Sequence, residues 1–190
     1  MVMYIKIINN PYSIKVLVNK DNKLPLNYEP NDLVSIHSDY TLGMQFLRKK
    51  CKYHFEKMCE DAKLDNMHII AVSTYRSSNY QKKLFQQYSE KYGLDYAEMC
   101  SAKAGHSEHQ TGLAIDIADL TGNYDNFINT KEYYWMVNNA YKYGFILRYP
   151  KYKTDITGYK FEPWHYRYVG IHIAKKIFLN NITLEEYKKS

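Results

Sequence analysis

Ser107-Glu108-His109-Gln110-Thr111-Gly112-Leu113-Ala114-Ile115-Asp116-Ile117-Ala118 changes character at its glycine. Before Gly112 the residues are mostly polar and read as a loop. After it they alternate. Leu113, Ile115 and Ile117 fall on one face of an extended chain, and Ala114, Asp116 and Ala118 on the other. The pattern predicts a strand with an apolar face for a core and a single carboxylate on the opposite face. The segment leading into it carries His109.

Working outward, the C-terminal side predicts a helix over residues 130–142 stopped by Gly144, then a strand over 145–149. A further strand over 164–169 sets His165 and Arg167 on the face opposite Trp164 and Tyr166. Thr183-Leu184-Glu185-Glu186 is a capping box that opens a short last helix.

On the N-terminal side, residues 68–73 read as a buried strand. A helix follows from Ser78, whose hydroxyl can cap it, with Leu84, Phe85 and Tyr88 turned inward and Gly93 closing it. A short helix over 94–99 comes next. Met44, Leu47, Cys51, Phe55, Met58 and Ala62 recur at helical spacing and predict a helix over 41–62, ended by Asp65-Asn66. Residues 30–40 read as a loop. Ile14, Val16 and Val18 alternate and predict a strand over 12–18, followed by a turn at Asp21-Asn22 and an extended Leu24-Pro25-Leu26. Helices interleaved with non-contiguous strands predict an α+β fold: one domain over 1–190 with its core at about 12–188, built on a small antiparallel-rich sheet flanked by helices.

Composition bounds the rest. A chain of 190 residues, 45% apolar and 24% charged, can bury a core and is not disordered. Its formal charge of +6 is scattered and reads as a solvated basic surface; no nucleic-acid motif accompanies it. The 21 tyrosines accompany many Lys, Asn and Ile, a bias of genome composition, and carry no functional weight as a group. Cys51, Cys59 and Cys100 cannot all pair within the chain and read as reduced thiols. The first ten residues lack a basic segment followed by an apolar stretch, and nothing elsewhere approaches a membrane span, so the chain as written is expected in the cytoplasm. A cell-wall or extracellular location is the alternative, should a leader be missing or export be non-standard.

Glu162-Pro163-Trp164-His165 supplies a second histidine and a second carboxylate. His109, Asp116 and His165 offer two imidazoles and one carboxylate, a donor set suited to zinc and leaving one position for water. A turn at Pro163 would let Glu162 reach that water without being a ligand, where a carboxylate can take and return a proton. Taken singly, a His–Asp pair is more often an ordinary hydrogen bond than a metal site. The H-E-x-x-H helix motif is absent.

The longer strings settle on a resemblance. Ser107 through Asp116, followed by Glu162 through His165, resembles the VanY-type D-alanyl-D-alanine carboxypeptidases, a zinc peptidase group that includes VanX and VanXY enzymes. Asn27 through Val34, Ser73-Thr74-Tyr75-Arg76-Ser77 with Gln81, Phe145 through Pro150, Ile156-Thr157-Gly158-Tyr159 and Arg167-Tyr168-Val169-Gly170 agree with it. The resemblance implies Zn2+ on His109, Asp116 and His165, with Glu162 as base. Arg76 is implied as a substrate-side cation, for an oxyanion or a terminal carboxylate, and Gln81 and Ser107 as lining the substrate pocket, unless they only brace backbone. Thr74 replaces the usual glycine before Tyr-Arg, and Ala104 a usual proline.

The expected activity is release of C-terminal D-alanine from a peptidoglycan stem peptide or precursor. The alternatives are an L,D-carboxypeptidase, a VanXY-like dipeptidase/carboxypeptidase, or a wall-binding structural zinc module without turnover. The sequence leaves oligomeric state open and favours a monomer. His106 reads as lying beside the site rather than as a fourth ligand, and Asp119 as a turn residue.

Overall fold

The alternation at 113–118 lies at the centre of a four-stranded antiparallel sheet. The structure, a computed structural model, describes residues 5–189; Met1 to Tyr4, part of the N-terminal stretch read for an export signal, lie outside the described residues. In chain order, β1 (Lys6–Ile7) pairs in parallel with β2 (Asn22–Lys23), and β3 (Leu33–Ser35) pairs antiparallel with β4 (Phe46–Arg48). Then come α1 (Lys49–Leu64), β5 (Ile70–Ser73), α2 (Ser78–Tyr92), α3 (Leu94–Cys100), β6 (Ala114–Ala118) and α4 (Lys131–Asn139). The chain finishes with β7 (Phe145–Leu147), α5 (Thr154–Thr157), β8 (His165–Tyr168), α6 (Ile171–Asn180) and α7 (Leu184–Lys189). The main sheet has the order β5-β6-β8-β7, with every neighbouring pair antiparallel. This is the α+β arrangement read from the sequence.

The two faces of that sheet differ in kind. Leu113, Ile115 and Ile117 are fully buried against Phe55, Met58 and Cys59 of α1, Met136 of α4, and Phe145, Tyr166 and Tyr168 of the neighbouring strands. Each large apolar side chain buried there stabilises the fold by roughly 1.5–3 kcal/mol. The opposite face carries Asp116, His165 and Arg167, all buried. Arg167 lies opposite Ala114 in the β6–β8 register, so a large cation faces the smallest side chain of β6.

Several boundaries depart from the sequence reading. Residues 12–18 form no strand, although Val16 and Val18 are buried as their alternation implies. Their carbonyls go elsewhere: Arg167 Nη2 donates to Val16 O at 2.8 Å and to Ile14 O at 3.2 Å. The predicted 30–40 loop contains β3. The predicted 41–62 helix begins only at Lys49, because Gly43 turns the chain at φ +71° and residues 46–48 pair with β3 instead. Met44 is accordingly exposed, while Cys51, Phe55, Met58 and Ala62 hold their predicted inward phase.

Asn66 at φ 58° ends that helix as read. The cap of α2 is Ser77, one residue earlier than expected, its hydroxyl accepting from Tyr80 N. Residues 130–142 divide into α4 and a 3-10 turn over Ala140–Tyr143 before Gly144. Helix α6, unread in the sequence, packs Ile173, Ala174 and Ile177 against Ile146 and Val169. The capping box at α7 forms in both directions: Thr183 N donates to Glu186 Oε2 and Glu186 N to Thr183 Oγ1. Cys51, Cys59 and Cys100 are free thiols, the first two buried.

Candidate metal centre and active site

The register of β6 on β8 sets Asp116 directly opposite His165, and that of β5 on β6 sets Ser73 opposite Asp116. Three strands therefore line up Ser73, Asp116 and His165 in one row. Directly opposed residues on one face of an antiparallel pair stand close enough to touch. His165 Nδ1 lies 2.8 Å from Asp116 Oδ1.

The third member arrives from the 3-10 turn Glu108–Thr111, which closes on Gly112 in the left-handed region (φ +65°). A side chain at Gly112 would strike Leu33 and Arg48, so the turn needs glycine there on both counts. Ser107 caps the turn, its Oγ accepting from His109 N. His109 Nε2 then stands 3.3 Å from Asp116 Oδ2, while Nδ1 donates to the Thr74 carbonyl at 2.6 Å.

One ligand atom from each of His109, Asp116 and His165 lies within 4.8 Å of the other two. Two imidazole nitrogens and a carboxylate oxygen, all buried, with the His109 ring held through its Nδ1, fit a zinc ion. Among the described residues this is the one group of that kind. His106 lies apart from it, buried with Nδ1 2.9 Å from Asn19 O. Asp119 serves a turn, accepting from Thr121. His37 caps a 3-10 turn, and His54 stacks on Tyr168.

Glu162 enters through a turn in which His165 N donates to Glu162 O. Its Oε2 lies 3.8 Å from His165 Nδ1, and its side chain remains 16% exposed to the cleft. Burial pushes its carboxyl up to about 7, Asp116 and Glu108 adding in the same direction against His165 and Arg76. Burial alone would lower His165, but the Asp116 and Glu108 carboxylates outweigh it and raise it to about 9. Burial and the Arg76 guanidinium together lower His109. Asp116, despite its burial, is held well below the usual carboxylate range by His109, His165 and Arg76.

Arg76 Nη2 donates to Asp116 Oδ2 at 2.6 Å and Nε to Ser73 Oγ at 2.9 Å, which fixes the guanidinium at the edge of the ligand cluster. Thr74, where the sequence departs from the glycine of the resemblance, ties this loop down: its hydroxyl donates to Gln45 Oε1 and accepts from Phe46 N. Gln81 donates to Ala102 O at 2.8 Å and to Ser101 Oγ, bracing the loop across the cleft, while its Oε1 is buried with no protein partner. Gln81, Ser107 and Arg76 all line a cleft of about 860 Å3 that contains the ligand cluster. Its walls are aromatic, with Tyr75, Tyr88, Tyr96, Tyr124, Tyr159 and Trp164 among them. Seven of the 21 tyrosines line it, a grouping that composition alone does not show.

A second cluster escaped the sequence reading. Glu108, Arg148 and Arg167 are fully buried, with Glu108 Oε1 accepting from Arg148 Nε at 2.8 Å and from Arg167 Nη1 at 2.7 Å. Arg148 also pairs with Glu185 of α7, which accepts in addition from Asn19. Burial would raise the Glu108 carboxyl, yet the two guanidiniums hold it below the usual carboxylate range. The available signal was the alternation in β8, which placed Arg167 on the face of His165; a cation there needs an anion.

Comparison with known proteins shows what the chain is similar to. The family model described as VanY, D-alanyl-D-alanine carboxypeptidase, matches residues 44–171. A D-alanyl-D-alanine carboxypeptidase of Enterococcus faecalis is 34% identical over 90% of the chain, which spans 64% of that relative's length. The bifunctional D-Ala-D-Ala dipeptidase and carboxypeptidase VanXYC of Enterococcus gallinarum is 35% identical over 90% of this chain and 91% of its own. Among solved structures, the LdcB LD-carboxypeptidase superposes with a TM-score of 0.91 at 43% identity, covering 97% of this chain and 90% of that one. A VanY D,D-pentapeptidase variant in complex with Zn(II) superposes with a TM-score of 0.80 at 34% identity, covering 93% and 98%.

Proposed function

Because the chain belongs to the VanY family of D-alanyl-D-alanine carboxypeptidases, we propose that His109, Asp116 and His165 hold its zinc and that Glu162 is its proton carrier. The chain is a zinc peptidase that releases D-alanine from the C-terminus of a peptidoglycan stem peptide or precursor. The observation that carries the residue assignment is the cross-strand pairing of Asp116 with His165, with Glu162 3.8 Å from the same ring.

When bound, zinc supplies Lewis acidity for a carbonyl and for water. The chain's own residues supply the rest. Glu162, with its carboxyl raised to about 7, is ionised in a large fraction of molecules at neutral pH. It takes a proton from the attacking water and returns it to the leaving amine. Arg76, already directed at the ligand cluster, donates to negative charge on the substrate, either a terminal carboxylate or the oxygen of the tetrahedral centre. Gln81 and Ser107 line the cleft as further polar side chains, and the aromatic walls exclude water around the peptide. The assigned groups lie within the single domain read over 1–190, with its core at about 12–188, and a monomer is the proposed working unit. No helix among the described residues is long and apolar enough to cross a membrane.

An L,D-specific reading stands second, favoured by the 43% identity to an LD-carboxypeptidase against 34% to the D,D-pentapeptidase. Zinc content together with D-alanine release from a peptide ending in D-Ala-D-Ala, from one ending in a single D-Ala after an L-centre, and from the free dipeptide decides among these. Activity on the first supports the main reading. Activity confined to the second or the third replaces it with the L,D or dipeptidase alternative. Zinc bound with no release from any would leave a wall-binding module.

A further inference from the structure

His165 has two ring nitrogens, and only one faces the cleft chemistry. Nδ1 is 2.8 Å from Asp116 Oδ1 and 3.8 Å from Glu162 Oε2. Nε2 points the other way, is buried, and has no hydrogen-bond partner. Glu108 Oε2 is likewise buried without one. These two orphan atoms lie 3.6 Å apart. A neutral imidazole that gives its Nδ1 lone pair to a metal must carry its proton on Nε2, and a buried N–H needs an acceptor. A buried polar atom left unpaired is destabilising.

Glu108 is built for that task. Its other oxygen is committed to Arg148 and Arg167, so the carboxylate is fixed in direction and its free oxygen is aimed at the ring. The same 3-10 turn carries Glu108 and His109 side by side, sending one to the ligand cluster and its neighbour behind the other ligand. The two histidines are thus held through opposite nitrogens: His109 by Nδ1–H on the Thr74 carbonyl, His165 by Nε2 toward Glu108.

We propose that Glu108 is a positioning residue, accepting the Nε2 proton of His165 so that Nδ1 is presented to the metal. This rests on the ligand assignment above. The rival account makes Glu108 only the counter-charge of two buried arginines.

Zn2+ affinity, measured by competition with a chelator, separates them. Glu108→Gln keeps the side chain's shape and an acceptor oxygen for the arginines but turns an N–H toward Nε2–H. It is expected to weaken zinc binding about 10–100-fold. Glu185→Gln removes the other carboxylate of Arg148 and touches nothing at the ligands, so it should leave zinc affinity within about twofold. Wild-type affinity in Glu108→Gln, or an equal loss in Glu185→Gln, overturns the proposal. Should Glu108→Gln fail to fold, the zinc-loaded wild-type chain carries the test through its 15N-histidine NMR spectrum. A slowly exchanging proton on His165 Nε2 is expected there, and an unprotonated or rapidly exchanging Nε2 overturns the role. Wild-type protein that binds no zinc would instead sink the ligand assignment itself.

Discussion

Glu108 and Glu162 stand at the two nitrogens of one imidazole, 3.6 Å and 3.8 Å away, and their surroundings make them opposites. Glu108 is sealed between two guanidiniums that keep it ionised against its own burial. Glu162 lines the cleft without a guanidinium bound to it, and burial, with Asp116 and Glu108 adding, pushes it up to about 7. One residue type thereby supplies a fixed charge on one side of His165 and an exchangeable proton on the other. In the roles proposed here, two carboxylates whose environments drive their protonation apart divide the labour of holding and of proton transfer.

The largest effect that would break this comparison is loss of the mobile proton. Glu162→Gln should retain zinc and lose D-alanine release by about 10²–10⁴-fold. Metal analysis alongside a D-alanine assay checks it, and full turnover with zinc bound would remove Glu162 from the mechanism. Next in size, His109→Ala should lower zinc affinity steeply and activity with it. Undiminished zinc content by the same metal analysis would take His109 out of the ligand set.

The third test sharpens the protonation assignment. If ionised Glu162 is the working form, kcat/KM rises about tenfold per pH unit on the acid side and levels at a break of about 7 or lower, since a nearby dication can only lower that value. A kcat/KM that falls as pH rises along that acid limb would contradict it.

The smallest effect is on stability. His165 in the chelator-treated chain is raised to about 9 from an ordinary 6.5, so its proton adds stability that is full below 6.5 and is lost as pH climbs through 9. Glu162, raised from 4.5 to about 7, loses its own contribution by the lower edge of that range. His54, His106 and His109 are lowered from 6.5 and are neutral in both states above it, so the window from pH 7 to 9 belongs chiefly to His165. Thermal melts should show Tm falling across that window without zinc and the gain from zinc widening. Melts of equal Tm at pH 7 and 9 would place the proton elsewhere.

How much of this was legible differs by region. The core face of β6, the helical phase of Cys51, Phe55, Met58 and Ala62, and the α7 capping box follow from side-chain periodicity and local hydrogen bonding, and the structure keeps them. The stretch at 12–18 shows where that logic ends. Its alternation correctly buries Val16 and Val18, but alternation does not supply a partner strand, and Arg167, far along the chain, takes the carbonyls that a ladder would have used. Residues 41–48 failed similarly: Leu47 is inward in either a helix or a strand, and only its pairing with Val34 chose between them.

By itself the sequence determined the elements with a strong period or cap, and it offered the donors and the acid proposed here for zinc and for proton transfer, because those depend on residue type and short-range spacing. Tertiary structure alone decided that Asp116 meets His165, that Gln81 anchors the opposite wall, and that one glutamate is locked while the other titrates. Strand register and burial are set by partners many residues away, and the polarity of the surroundings they create governs each proton.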